Sequence, residues 1–171
     1  FNGNMRSVNV TAPDGRKIAA EYGVLTSFGE KTAGAAAVIE MAKASGLALM
    51  DENALDPLAA TSRGTGELIA SALNEGIRNI LIGIGGSATN DGGMGAAAAL
   101  GVKFLDAEGN ELSGCGRELA LVRKIDLSGL RRDVFEAKIT VMCDVDNPLT
   151  GKNGATYTYG PQKGANAEAL N

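Results

Sequence analysis

Histidine and tryptophan are absent from the 171 residues, and there are only two cysteines, Cys115 and Cys143. The absence of histidine excludes Ser-His and Cys-His catalytic pairs, zinc sites built on imidazole, and acid–base catalysis by imidazole. Two lone cysteines form neither a zinc knuckle nor a disulfide framework, and such thiols are typical of a reducing compartment. We therefore predict a cytoplasmic protein whose chemistry depends on other groups.

Long apolar runs and basic runs are also missing. No stretch approaches the roughly 20 apolar residues of a membrane span, because the uncharged segment 79–90 is interrupted by glycines. The chain has 16 basic and 20 acidic residues, a net charge of −4, without a cluster of Lys or Arg. We therefore expect neither a membrane partner nor a nucleic-acid partner. With no signal peptide and no initiating Met, the chain is expected to be a piece of a longer protein.

Glycine is abundant, with 24 residues, about twice its average usage. The glycines cluster at 83–95, 109–116 and 151–164 and show no collagen or linker pattern. Clustered glycines between apolar runs indicate loops that turn tightly or approach a ligand closely. The chain is long enough for one domain with its own core, and we predict a single α/β domain over residues 1–171.

Apolar patterning predicts the elements around these loops. Residues 7–11 and 17–26 flank a Pro-Asp-Gly turn, which predicts a β-hairpin. Apolar side chains then recur at helical spacing after Gly66, as far as Gly76, a natural helix C-cap. Two β-branched apolar runs, 80–84 and 139–143, are typical of strands buried inside a sheet.

The loop at 85–93 joins the first of these strands to a predicted helix at 94–100. Backbone N–H groups in such a loop can converge on an anion. The loop is not a Walker A motif, which needs Gly-Lys-Ser/Thr, and it does not match the dinucleotide fingerprint G-x-G-x-x-G. The alternative is a tight turn in which Asn90 or Asp91 caps the helix.

Two other loops carry charged side chains. Asp144 and Asp146 directly follow the strand at 139–143, where open α/β sheets bind ligands. These carboxylates can hold Mg²⁺ or take a proton from a hydroxyl; the alternative is an exposed Asx-Pro turn. Lys163, between two glycines, can meet a phosphate, although an exposed surface lysine is the commoner case. We predict that loops 85–93, 144–147 and 160–164 converge on one face.

Four segments, in this order, resemble the bacterial glycerate kinases of the type-1 family. They are Thr65-Gly66-Glu67-Leu68-Ile69, residues 82–93 with Gly-Gly-Ser-Ala-Thr-Asn-Asp-Gly-Gly, Cys143-Asp144-Val145-Asp146-Asn147-Pro148-Leu149, and Gly160-Pro161-Gln162-Lys163-Gly164-Ala165. The resemblance implies an ATP-dependent kinase that phosphorylates D-glycerate with Mg²⁺, with 2-phosphoglycerate the favoured product. Family members are roughly twice this length. They carry a flavodoxin-like domain, mostly missing here, into which a second, mixed-sheet α/β domain is inserted; this chain resembles most of the second domain.

The resemblance and the loop chemistry together give a set of candidate site residues. The candidate catalytic residues are Asp91, Asp144, Asp146 and Lys163, with Asp144 and Asp146 also the candidate magnesium ligands. The candidate substrate- and phosphate-binding residues are Gly85, Gly86, Ser87, Thr89, Asn90, Asn147, Gln162, Thr65 and Glu67.

Several alternatives stay open at this point. The sequence does not decide which aspartate acts as the base, and Thr65 or Glu67 can instead cap the helix. The chain can also be a catalytically incomplete ligand- or nucleotide-binding module. A dehydrogenase-like nucleotide domain is disfavoured by the missing fingerprint and the missing histidine. Assembly into a homo-oligomer is a further open possibility, beside the expected partners D-glycerate and ATP.

Overall fold

The computed structural model describes residues 3–26 and 34–170. These residues form a five-stranded mixed sheet in the order β1-β2-β3-β4-β7 and a two-stranded sheet of β5 and β6, which confirms the predicted mixed-sheet α/β class. The strands are β1 Gly3–Thr11, β2 Lys17–Leu25, β3 Ala36–Glu40, β4 Asn79–Gly83, β5 Lys103–Leu105, β6 Lys124–Asp126 and β7 Lys138–Met142. The α-helices are α1 Ala42–Ser45, α2 Arg63–Asn74, α3 Met94–Ala99 and α4 Ala155–Tyr159. Short 3₁₀ helices span Leu47–Leu49, Glu52–Ala54, Gly116–Leu121, Arg132–Val134 and Pro161–Lys163.

The predicted hairpin is present and longer than expected. β1 and β2 pair antiparallel from Gly3–Leu25 to Thr11–Lys17. Gly15, with φ of 88°, supplies the left-handed residue of the turn, a conformation that glycine adopts without steric cost. β2 then pairs antiparallel with β3, so the hairpin forms one side of the main sheet.

The other side of the sheet is parallel. β3 pairs with β4, and β4 with β7, both in parallel. The carboxyl ends of these three strands therefore lie at one edge, which is where an open α/β sheet places its ligand. The loop after β4 and the loop after β7 both begin at this edge.

Helix α2 covers one face of the sheet. Its side chains Leu68, Leu73 and Ile69 are buried, and Gly76, with φ of 77°, follows its C-terminus, as the sequence predicts. The core cluster joins this helix to the strands through Val10, Tyr22, Ala37, Ile39, Ile80 and Ile82. Helix α3 packs so closely on α2 that a Cβ at Gly66 would overlap the backbone of Ala96.

The small sheet lies on the long connection between β4 and β7. β5 and β6 pair antiparallel, and the chain leaves β5 through a tight turn at 106–110. One carboxylate oxygen of Asp106 accepts hydrogen bonds from the backbone N–H of Glu108 at 3.0 Å and of Asn110 at 2.8 Å. Gly109 completes the turn with φ of 84°.

The prediction for residues 139–143 was wrong in one respect. This run does form a strand, but β7 lies at the end of the sheet order and all five of its residues are exposed. Among the described residues no strand pairs with its outer edge, so its apolar side chains lack the cover that a central strand has. The run 80–84 is inside the sheet as predicted, although β4 ends at Gly83.

Two smaller differences concern the helices. The helix predicted at 94–100 ends at Ala99, and the segment Gly116–Leu121, for which no element is predicted above, is a 3₁₀ helix. Within residues 3–26 and 34–170, no helix combines the length and apolar character required to cross a membrane.

Candidate functional site

The three predicted loops meet at the carboxyl-terminal edge of β4 and β7. The ammonium group of Lys163 donates to the Ser87 hydroxyl at 2.8 Å and to the Thr89 carbonyl at 2.7 Å. Beside these contacts lies a cleft of about 290 Å³, lined by residues 84–87 and 143–145 with Ala155, Tyr159, Gln162 and Lys163. The predicted convergence of the loops is thus present in the structure.

Lys163 is oriented by its local backbone. It ends the 3₁₀ turn Pro161–Lys163, and Gly164 follows with φ of 95°. A Cβ on Gly164 would lie 2.5 Å from the Leu55 carbonyl oxygen, so glycine is required there by both conformation and space. The turn therefore brings the lysine stem against the body of the domain and aims the amine at the loop 85–93.

The surroundings of this amine shift its pKa. Burial lowers the pKa of the Lys163 ammonium below its usual value, and the negative charge of Asp91 acts in the opposite direction. A lysine ammonium has three N–H donors, and two of them are used by Ser87 and Thr89. Lys163 itself lines the cleft, so its amine lies beside any ligand bound there.

The glycine-rich loop 85–93 presents its backbone to the same cleft. Gly86 has φ of 71°, and its carbonyl accepts from the Leu47 N–H at 2.8 Å. The Ala88 N–H donates to the Ser45 carbonyl at 2.9 Å, so both sides of the turn are anchored. Around Gly85 nothing lies within 4 Å of the position a Cβ would take, so a ligand can approach the backbone closely there.

Asp144 and Asp146 are both exposed, but only Asp144 lines the cleft. The described residues contain no group of three or more His, Cys, Asp or Glu side chains that could hold a metal ion. Carboxylates that leave most positions to water and phosphate oxygens suit Mg²⁺, which keeps several waters in protein sites. Asp144 is therefore compatible with Mg²⁺ bound jointly with a phosphate-bearing ligand, whereas the structure does not place Asp146, the other predicted ligand, in the cleft.

Asp91 lies beneath the loops and is 2% exposed. One of its oxygens accepts from the Ser62 backbone N–H at 2.8 Å, the Ser62 hydroxyl at 2.7 Å and the Gly95 N–H at 3.2 Å. The other accepts from the Gly93 N–H at 3.1 Å. Asp91 thus joins the start of α2 to the start of α3, which favours the capping interpretation, and the structure does not bring it into the cleft.

Ser62 is a partner that sequence reasoning missed. It occupies the N-cap position of α2, where Ser is a preferred residue, so its position before the apolar helix was a usable signal. Its hydroxyl both donates to Asp91 and accepts from the Ala96 N–H at 2.9 Å. The two helix starts are therefore fixed by one serine and one aspartate.

Asn90 and Asn147 brace helix α4 behind the cleft. The Asn90 amide donates to the Thr156 hydroxyl at 3.1 Å. The Asn147 amide donates to the Asn153 carbonyl at 3.0 Å, and its oxygen accepts from the Tyr159 hydroxyl at 2.8 Å. These contacts position Tyr159, a cleft residue that the sequence did not single out.

Thr65 and Glu67 make their contacts away from the cleft. The Thr65 hydroxyl is hydrogen-bonded to the Ser45 hydroxyl at 2.8 Å and is buried. The Glu67 carboxylate accepts from the Thr11 backbone N–H at 2.5 Å and from the Thr11 hydroxyl at 3.0 Å. The structure therefore does not bring these two candidates to the cleft; they tie α2 to α1 and to the hairpin.

The fold and the cleft define an α/β domain whose polar loops meet at the carboxyl ends of parallel strands. The model of the glycerate kinase family matches residues 1–171. The chain belongs to the glycerate kinase family.

Similar proteins of known name support this membership. The chain is 51% identical over 168 residues to the Glycerate 2-kinase of Escherichia coli (strain K12), which covers 98% of this chain and 42% of that protein. It is 48% identical over 169 residues to the Glycerate kinase of Bacillus subtilis (strain 168), and the match covers 99% of this chain and 43% of that protein. A crystal structure assigned as a glycerate kinase 2 of Salmonella typhimurium LT2 superposes with a TM-score of 0.89 at 48% identity, covering 98% of this chain and 43% of that one.

The chain spans less than half the length of these relatives. This share is consistent with the predicted second-domain fragment of a longer kinase. The presence of a flavodoxin-like domain in the remainder, and the treatment of residues 1–171 as one domain, stay predictions.

Proposed function

We propose that the intact protein transfers the γ-phosphoryl group of ATP to D-glycerate in the cytoplasm, with Mg²⁺, and that these residues supply its phosphate-binding cleft. The observation that carries the proposal is the Lys163 ammonium held by Ser87 and the Thr89 carbonyl beside the glycine loop. The names of the relatives support glycerate as the substrate, and the name of the Escherichia coli relative supports 2-phosphoglycerate as the product.

Phosphoryl transfer depends on positioning and on stabilising the charge of the transferred group. In this cleft the third N–H of Lys163 can meet a phosphoryl oxygen, and the exposed backbone at Gly85 allows the phosphate to approach. Bound Mg²⁺ would offset further negative charge on the phosphates. The Thr89 carbonyl then acts as a positioning group for the amine, whereas Ser87 both holds the amine and lines the cleft.

Among the three candidate aspartates, Asp144 is the one we propose to act in the cleft. Asp91 has both oxygens engaged by donors of its own fold, and Asp146 is not a cleft residue. Asp144 is exposed and shares the cleft with Lys163. It can accept the proton of the glycerate hydroxyl or share a magnesium ion with the phosphates, the two roles that the sequence left open.

A binding module without catalysis is the second candidate function for these residues taken alone. It is favoured by one observation, the span of only 42–43% of the relatives. In that case the cleft still binds a phosphate-bearing ligand, and the groups that complete catalysis come from the rest of the protein.

The test uses the full-length protein incubated with D-glycerate, ATP and Mg²⁺. ³¹P NMR of the products distinguishes 2-phosphoglycerate from 3-phosphoglycerate and from free phosphate. We expect glycerate-dependent formation of 2-phosphoglycerate. Release of free phosphate alone, or no ADP formation with glycerate present, would overturn the proposed activity, and formation of 3-phosphoglycerate would overturn the proposed position of phosphorylation.

A further inference from the structure

The two outer edges of the main sheet differ sharply in chemistry. β1 forms one edge and carries polar or charged side chains at Asn4, Arg6, Ser7 and Asn9. β7 forms the other edge and carries apolar side chains with large exposed fractions. These fractions are 37% for Ile139, 52% for Val141 and 47% for Met142. Soluble proteins protect exposed edge strands with charge, proline or bulges, and β7 has such protection only at its first residue, Lys138.

Apolar exposure continues on both sides of β7. Phe135, shortly before the strand, is 77% exposed. After the strand, Leu149 is 77% exposed. We call these residues, together with Ile139, Val141 and Met142, the β7 edge surface. Monomeric proteins rarely expose contiguous apolar surface without a partner for it.

The backbone of β7 is also half unpaired. The Lys138 N–H donates to the Arg78 carbonyl at 2.7 Å, so it faces β4. In a strand, successive N–H groups alternate in direction, which turns those of Ile139 and Val141 away from β4. No described strand accepts these outward N–H groups.

We propose that the β7 edge surface binds a further β-strand of the same polypeptide, from the part of the protein outside these residues. The relatives are more than twice as long as the chain, since it covers 42–43% of them. β3, β4 and β7 run parallel, and each further parallel strand needs a crossover of a dozen or more residues. More than half of the polypeptide is available to supply that crossover and the helices that cover both faces of a parallel sheet.

A second copy of the chain is the competing occupant. A twofold axis beside β7 would pair the two β7 strands antiparallel, and the pairing would depend on protein concentration. An intramolecular strand gives protection that does not change on dilution. Protein concentration therefore distinguishes between the two occupants.

The decisive measurement is hydrogen exchange of the full-length protein at single-residue resolution, made at two concentrations that differ a hundredfold. We expect the amides of Ile139 and Val141 to be protected to within about tenfold of Thr140, whose N–H faces β4, at both concentrations. Exchange of Ile139 and Val141 more than about a hundredfold faster than Thr140 would show an open edge. Protection that disappears on dilution would assign the surface to a second copy. Either result overturns the proposal.

A matched pair of substitutions gives a second readout in the full-length protein. Val141→Asp places a charge in the proposed interface, and Met5→Asp places the same charge on the polar edge, at a side chain that is 60% exposed. We expect Val141→Asp to lower the Tm by more than about 5 °C and Met5→Asp by less than about 2 °C. Equal shifts would contradict the proposal. If Val141→Asp does not fold, exchange of the unaltered protein remains the test.

Discussion

Lys163 Nζ lies 2.8 Å from Ser87 Oγ, although the two residues are 76 positions apart in the sequence. This hydrogen bond joins the loop after β4 to the turn that follows α4. It holds the amine against Ser87 at the side of the cleft that both residues line. The first predictions concern what that amine does.

Replacing Lys163 with Met should lower kcat by about 10²–10³ in the full-length enzyme. Methionine keeps much of the stem volume and removes the charge that we propose meets the phosphoryl group. Steady-state kinetics with ATP and D-glycerate measure the effect. If the lysine contributes only to binding the ground state, KM rises and kcat is unchanged.

Lys124→Met is the matched control. Lys124 is exposed on β6 and is not a cleft residue. Lys124→Met removes the same positive charge without affecting the cleft, so kcat and KM should stay within about twofold of the unaltered enzyme. Equal losses in both variants would mean that overall charge matters, and that Lys163 has no special role.

The activity should also fall with rising pH, and it should do so at a lower pH than for a lysine with an ordinary pKa. Burial lowers the pKa of Lys163, so the folded protein releases this proton below the usual lysine value of about 10.4. Only the protonated amine carries positive charge, and the rate therefore falls as the pH rises through the lowered pKa. The pH profile of kcat/KM, which reports groups of the free enzyme, measures this alkaline limb in the full-length enzyme.

Lys163→Arg tests the assignment of that limb. A guanidinium stays protonated throughout the accessible range. Whatever activity this variant retains should persist to higher pH than that of the lysine enzyme. A limb at the same pH in both proteins would show that another group titrates.

Asp91→Asn should destabilise the fold by about 2–4 kcal/mol. The buried carboxylate accepts four hydrogen bonds from Ser62, Gly93 and Gly95, and an amide nitrogen at one of its oxygen positions would face donors. Urea unfolding monitored by circular dichroism gives the free energy of unfolding. A loss below about 0.5 kcal/mol would contradict the structural role assigned to Asp91.

Asp144→Asn should lower the activity and leave the stability of the fold almost unchanged. Asp144 is exposed, so its replacement should change the free energy of unfolding by less than about 0.5 kcal/mol. Its removal from the cleft should nevertheless lower kcat by at least about tenfold. Asp146→Asn, outside the cleft, is the matched control and should have the smaller effect; a larger loss in Asp146→Asn would move the chemistry to that residue.

Gly85→Ala separates ligand approach from folding. Nothing lies within 4 Å of the new Cβ, so the Tm should stay within about 2 °C of the original value. The methyl group would, however, occupy the space through which a phosphate reaches the backbone, and KM for ATP should rise several-fold. Gly66→Ala is the contrasting variant, because its Cβ overlaps the Ala96 backbone and must lower the Tm. An unchanged KM in Gly85→Ala would place the phosphate elsewhere.

Local chemistry made much of this fold predictable. A Pro-Asp-Gly turn fixes the hairpin, and a helical apolar pattern ending at Gly76 fixes α2. The meeting of the loops was predictable as well, because each follows an apolar strand or lies beside a helix start. Parallel strands then bring their carboxyl ends together without any further information.

Other features depend on contacts between distant residues, which patterns do not reveal. Glu67 resembled a ligand-binding residue, and its partner Thr11 lies 56 residues away. The partnership of Asp91 with Ser62 spans 29 residues. The position of β7 is the clearest case: its apolar run indicates burial, but burial depends on a neighbour, and the described residues do not include one.

The Asp106–Asn110 turn of the small sheet is a suitable place to attach a label. Exposed turns at loop tips tolerate insertions better than other parts of a fold, and residues 107–110 are exposed. The turn belongs to the excursion between β4 and β7 and contributes no residue to the cleft. A short peptide tag or a fluorophore attached there would leave the loops around the cleft unaltered. Such a label would report rotational mobility of this unit inside the working enzyme.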